Sequence, residues 1–159
     1  MKTQLSKLIT GMAGEYLVAG KMSLQGWTAN LTYKNYPGVD IIGQHPQLGE
    51  NKIALIQVKS SVYPSFWVGI KYSERERMDS LIKGPYVLVY FEEINGEIEP
   101  SYYILTKREM IDLINQSDNA YRDKERDKPL SSDYSIKVYI KRDNLKPFKD
   151  KWEKLFCAE

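Results

Sequence analysis

Lys52-Ile53-Ala54-Leu55-Ile56-Gln57-Val58-Lys59-Ser60 is the clearest strand signal in the chain, and its reading decides the fold. Side chains alternate along a strand. Ile53, Leu55, Gln57 and Lys59 therefore share one face, and Ala54, Ile56, Val58 and Ser60 share the other. Both faces stay apolar up to the end of the run, which predicts a central strand covered on both sides. A lysine at that end is costly to bury unless it is paired.

Working back from this strand, Val39 to Gly43 reads as a shorter one, in which Asp40 interrupts the β-branched Val39, Ile41 and Ile42. Aspartate is depleted in strands, and such a break in an apolar run tends to mark a functional site. The structural alternative is an aspartate that hydrogen-bonds the adjacent turn, because Pro37-Gly38 is a strong breaker. Trp27 to Thr32 reads as another short strand, and Thr3 to Gln25 as a helix capped by Gly26. Leu5, Leu8, Ile9, Met12, Tyr16 and Ala19 share one side of that helix, which is expected to face the core. Gly11, Gly14 and Gly20 are poor helix formers, and close approach to a sheet or a ligand would account for them. Glu15 lies about 80° from the centre of the apolar side. At that rim a carboxylate either reaches past the core or is merely solvated.

Downstream, Phe66 to Ile70 and Tyr86 to Phe91 read as strands, the second a continuous buried run. Between them Ser73 and Glu76 form a capping-box pattern that opens a helix carrying Met78, Leu81 and Ile82, closed by Gly84-Pro85. Asn95-Gly96 marks a tight turn, after which Tyr102 to Leu105 pairs back. Thr106 and Glu109 form a second capping box, leading a helix with Met110, Leu113 and Ile114 inward. Ser117 to Ser135 reads as a long surface excursion in which positive and negative charges alternate and largely cancel. Ile136 to Ile140 is a final strand, and Phe148, Trp152, Leu155 and Phe156 close the chain at helical spacing. Gln44 to Asn51 reads as a hairpin loop, with His45 as an exposed loop residue.

The 159 residues suit one domain over 1–159, without repeat or linker, and a core of useful size. A net charge of +2 neither demands nor excludes nucleic acid. The 12 tyrosines and 3 tryptophans pack first of all, though such rings also stack on bases. The single cysteine, Cys157, excludes an intrachain disulfide and a cysteine zinc site, and the single histidine excludes a multi-histidine metal centre. No apolar run is long enough for a membrane span, and Lys7, Thr10 and Glu15 break any signal-like segment at the start. A soluble, cytoplasmic protein is the expectation.

The order is helix, three strands in a meander, helix and strand. An acid lies in the first helix, an acid starts the second strand, and Gln-x-Lys ends the third. This resembles the PD-(D/E)xK nuclease superfamily, which includes many type II restriction enzymes and archaeal Holliday-junction resolvases. The likeness covers roughly Leu5 to Tyr90. Gly11-Met12-Ala13-Gly14-Glu15-Tyr16-Leu17-Val18, with Gly26-Trp27 after it, resembles the resolvase-type opening. Pro37-Gly38-Val39-Asp40 and Gln57-Val58-Lys59 resemble the two halves of the signature. Two departures stand out: the proline does not directly precede the aspartate, and glutamine replaces the usual glutamate, as it does in some active relatives.

The resemblance implies an α/β (α+β) restriction-endonuclease-like core, a central mixed sheet flanked by helices. It implies a metal-dependent endonuclease that hydrolyses phosphodiester bonds in DNA, with Glu15, Asp40, Gln57 and Lys59 catalytic. Mg²⁺ or Mn²⁺ would be held by Asp40, the Gln57 amide oxygen, the Val58 carbonyl and Glu15, and the acids would offset the burial of Lys59. A homodimer fits that reading, because two strands need two cuts. Three alternatives remain at this point. One is a catalytically degenerate nuclease-fold protein that binds nucleic acid or a protein partner without cleavage. Another is an immunity or scaffold component. The last is a purely structural salt bridge among Glu15, Asp40 and Lys59.

Overall fold

The computed structural model describes residues 6–33, 36–46, 52–124, 133–140 and 145–157. Its elements are α1 (Lys7–Leu24), β1 (Thr28–Leu31), β2 (Ile41–His45), β3 (Lys52–Ser61) and β4 (Ser65–Lys71). A 3₁₀ turn (Tyr72–Arg77) then runs into the short α2 (Met78–Leu81). β5 (Tyr86–Ile94), β6 (Glu97–Leu105), α3 (Lys107–Lys124) and β7 (Ser135–Tyr139) follow. Two more 3₁₀ turns, Lys146–Phe148 and Trp152–Phe156, stand where the closing segment was expected to be helical. The expected helix start from Thr3 to Leu5, the part of the expected loop from 47 to 51 and the charged run 125–132 lie outside the described residues.

Five strands form a mixed sheet in the order β1-β2-β3-β5-β6, with β3 at its centre. The first three are an antiparallel meander, and β5 returns parallel to β3 through the crossover that holds α2. This is the expected α+β class. β5 and β6 form a long hairpin about Asn95-Gly96, both with positive φ (53° and 84°). That pair of conformations suits the right-handed twist of two-residue hairpins. β4 and β7 pair as a separate two-stranded sheet.

The alternation along β3 sorts the molecule into two cores. Ala54, Ile56 and Val58 join Val18, Met22, Trp27, Val87 and Val89 under α1. On the opposite face Tyr86 and Leu88 pack with Phe66, Val68, Met110, Ile114, Ile136 and Val138, so β4, β7 and α3 cover that side. Gln57 and Lys59 belong to this second face, because they pair with Tyr86 and Leu88 in register.

The phase of α1 corrects the sequence expectation. Its buried residues are Thr10, Gly14, Val18 and Met22, whereas Leu8, Ile9 and Tyr16 are exposed. The helix seats its small residues so as to approach the sheet closely. A Cβ at Gly14 would fall 1.8 Å from Ser60 Oγ and 3.0 Å from Ser60 Cβ. Gly20, by contrast, faces open space. His45 is also corrected: it is buried in β2, edge-on to Trp27 and Phe156, with Nε2 3.2 Å from the Gln25 carbonyl.

The expected Ser73–Glu76 box gives way to Glu74, which accepts from the Lys71 N–H at 2.9 Å and starts a 3₁₀ turn instead. The Thr106–Glu109 box forms in both directions, at 2.9 and 3.2 Å. The surface excursion expected from Ser117 is helix as far as Lys124, and Ser117 and Asp118 are buried. Met110, Leu113, Ile114 and Ser117 continue one helical stripe, and that periodicity outweighs the polar composition.

Candidate functional site

The two halves of the sequence motif meet where β2 begins. Strand β2 pairs with β3 from Ile41 opposite Ile56, and the Asp40 N–H donates to the Ile56 carbonyl at 2.8 Å. Continuing that register sets Asp40 opposite Gln57, on the same face. The chain of β2 leaves the sheet there, so the Val58 N–H has no strand to pair with. The Asp40 carboxylate fills the gap: Oδ2 accepts from Val58 N at 2.8 Å and from Gln57 Nε2 at 2.7 Å. A hydrogen bond to an ionised acceptor contributes about 1.5–3 kcal/mol.

Tyr86, the register partner of Gln57, is the neighbour that sequence reasoning missed. Burial, and then the negative charge of Asp40, push its phenol up to about 12. Tyr86 therefore stays neutral beside the carboxylate at ordinary pH. Its place depends on the parallel β3–β5 register, which no local pattern encodes. Gly38, with φ +76°, sits above the amide: a Cβ there would lie 3.7 Å from Gln57 Oε1 and 3.3 Å from the Leu81 carbonyl. The end of α2 thus closes one side of the site.

Lys59 follows two residues after Gln57 on the same face and is half-buried. Its ammonium lies against β4, where a Cβ on Gly69 would be 3.7 Å from Nζ. Among the described residues no hydrogen bond or ion pair holds that ammonium. The expected compensation by Asp40 is absent, and so is the structural Asp40–Lys59 salt bridge. A half-buried cation without an anion is costly unless a ligand supplies one.

Glu15 is placed differently. It adjoins Gly14 on α1, which covers the Val58 and Ser60 face rather than that of Gln57 and Lys59. Glu15 is half-buried at the rim of the helix face and takes no part in the two bonds that fix Asp40.

The donor set can be tested against a divalent cation. Asp40 Oδ1 accepts nothing among the described residues. In a strand the N–H and C=O of one residue leave by the same edge, so the Val58 carbonyl shares the edge on which its N–H meets Asp40. Gln57 presents nitrogen to Asp40, so its oxygen would join after a half-turn of the amide. Carboxylate, carbonyl and amide oxygen suit Mg²⁺, which retains water and takes phosphate oxygens as further ligands. Among the described residues no three histidine, cysteine or acidic side chains gather to hold a metal. A centre that includes Gln57 needs no such trio.

No protein-family model, curated protein or solved structure matches this chain. Among the described residues no helix is long and apolar enough to cross a membrane.

Proposed function

We propose that the chain is a metal-dependent endonuclease hydrolysing phosphodiester bonds, with DNA as its substrate. The observation that carries this reading is the meeting of Asp40 with Gln57 at 2.7 Å, beside a Lys59 ammonium on the same face that no described side chain neutralises. The strand register supports it too, since the β2–β3 ladder stops at Ile41 opposite Ile56 and leaves the β2-side edge of β3 without a strand beyond Gln57.

A bound Mg²⁺ or Mn²⁺ would lower the pKa of its water and neutralise charge on the phosphate. Asp40 Oδ1, the Val58 carbonyl and the turned Gln57 amide are the groups that would hold it. Lys59 places a fixed positive charge where the pentavalent phosphate gathers negative charge, an effect that needs no reorganisation of solvent. Tyr86, kept neutral, holds the Asp40 side against water. Glu15 would orient water from the α1 side, around the edge that β2 leaves open. A homodimer would let two such sites cut both strands.

The test is cleavage of plasmid or branched DNA by purified protein with Mg²⁺ or Mn²⁺. Wild type should nick and Asp40→Ala should not; equal cutting by both would sink the reading. One observation favours a second reading, a degenerate protein that binds without cutting. The Gln57 amide presents its NH₂ to Asp40 Oδ2, so in this arrangement the residue in the usual glutamate position offers a donor and not an oxygen ligand. That reading expects salt-sensitive DNA binding with no metal-dependent product.

A further inference from the structure

A second concave site lies on the outer side of the β4–β7 pair, beneath the C-terminal half of α3. It is a cavity of about 420 Å³, lined by Trp67, Ser117, Tyr121, Tyr134, Lys137 and Tyr139 among others. That volume falls in the range of small-molecule sites, roughly 300–1,000 Å³. Its walls are aromatic, and two of the rings are open to solvent: Trp67 is 52% exposed and Tyr121 41%. Lys137 pairs across the strands with Trp67 and sets its ammonium 4.0 Å from the centre of that ring. Ser117, only 6% exposed, lies in the floor of the same cavity.

These features belong together. Exposed aromatic walls offer planar surfaces to a planar ligand. A cation at the wall favours an anion close by. We infer that this cavity takes an unpaired nucleobase, with Lys137 beside the phosphate of the same nucleotide. Stacking on aromatic side chains is the sequence-tolerant way to hold a base.

The cavity also stands in a useful place. Trp67 and Gly69 are two residues apart on β4, and Gly69 is the residue against which the Lys59 ammonium lies. Two residues of strand span about 6.6 Å, comparable to one nucleotide step along a backbone. A base extruded next to the phosphate at Lys59 would therefore reach this cavity. That placement rests on the nuclease reading, whereas the binding itself does not.

The experiment reads binding without hydrolysis. A fluorescein-labelled thymidylate hexamer is titrated with protein in EDTA and followed by anisotropy, alongside an abasic hexamer of equal charge. Wild type should prefer the thymidylate hexamer by at least about fivefold, and Trp67→Ala and Tyr121→Ala should each lose most of that preference. Equal affinity of wild type for the two hexamers would overturn the proposal. So would full preference in both variants, or no binding of either hexamer. Both substitutions are at half-exposed positions, and melting curves verify that the variants fold. If the base preference holds but plasmid is never cut, the cavity stands and the nuclease reading falls; cutting without base preference gives the converse.

Discussion

Asp40 and Asp118 are both aspartates inside secondary structure or at its edge, yet the fold treats them in opposite ways. Asp118 is saturated. Its side chain is fully buried; Oδ2 takes Arg75 Nη1 at 3.2 Å, and Oδ1 takes the Tyr134 hydroxyl. Arg122 Nε lies 3.1 Å from Oδ2 as an ion pair, without hydrogen-bond alignment. Both guanidinium groups sit over the Tyr72 ring, which stacks on Tyr134. The crossover, α3 and the entry to β7 are locked together through this one carboxylate. Burial, and then Asp118 itself, push the Tyr134 phenol up. Asp40 has a single neutral side-chain donor and one backbone donor, leaving Oδ1 unused among the described residues. A carboxylate given two cations is finished as a piece of structure; one left with an oxygen to spare can still take a cation.

The largest expected effect follows from that contrast. Lys59→Met should lower the cleavage rate by about 10²–10³-fold, the usual cost of removing one preorganised positive group, with little change in stability. Single-turnover cleavage together with a urea titration would separate the two. A large stability loss with normal cutting would show Lys59 to be structural. Asp118→Ala should do the reverse. It leaves two partly buried arginines without their anion and should cost about 3 kcal/mol, read as a lower urea midpoint. Asp40→Ala should cost about 2–3 kcal/mol, since it removes two hydrogen bonds to a carboxylate but leaves a backbone N–H and an amide that water can reach at the open edge of β3.

Gln57→Glu sharpens the comparison further. It sets a second carboxylate against Asp40 and should lower stability in EDTA by about 1–2 kcal/mol. Added Mn²⁺ should restore it, because a ligand that binds only the folded state raises its stability by mass action. A melting temperature indifferent to Mn²⁺ in this variant would remove the cation from the Asp40 site.

Glu109 is an intermediate case and gives the smallest effect. Burial pushes its carboxyl up, but the bonds from Lys154, at 2.6 Å, and from Thr106 outweigh it and hold the group below its ordinary 4.5. A lowered folded value means stability that is present above pH 4.5 and lost as pH falls through the folded value. The side chain is one-third exposed, so screening limits the contribution to under about 1 kcal/mol. Glu109→Gln should flatten the acid limb of the stability curve by that amount; an unchanged limb would show that these bonds contribute nothing.

How legible all this was in the sequence depends on the range of the interaction. β3, the Asn95-Gly96 turn and the Thr106–Glu109 box are local patterns and could be read directly. The phase of α1 could not, since Leu8, Ile9 and Tyr16 offer a more apolar side than the Thr10, Gly14, Val18 and Met22 side that packs. Close approach of backbones decided that choice, and hydrophobicity alone does not report it. Asp118 was hidden by the polar composition around it, although Met110, Leu113, Ile114 and Ser117 carry a helical stripe up to it. In the site, the pairing of Asp40 with Gln57 was suggested by the strand order, whereas Tyr86 and Gly69 depend on register and on β4 lying across the sheet. The face taken by α1 relative to Lys59 is likewise a tertiary fact.

The turn at Asn95-Gly96 holds more than a hairpin. Along β6, Tyr102 and Ile104 serve the α1 core, while Tyr103 and Leu105 serve the other. Lengthening that turn by one residue would shift the phase of β6, and every one of these side chains would be delivered to the wrong core. A single inserted residue, far from either aspartate, is thus a switch for the integrity of the whole sheet.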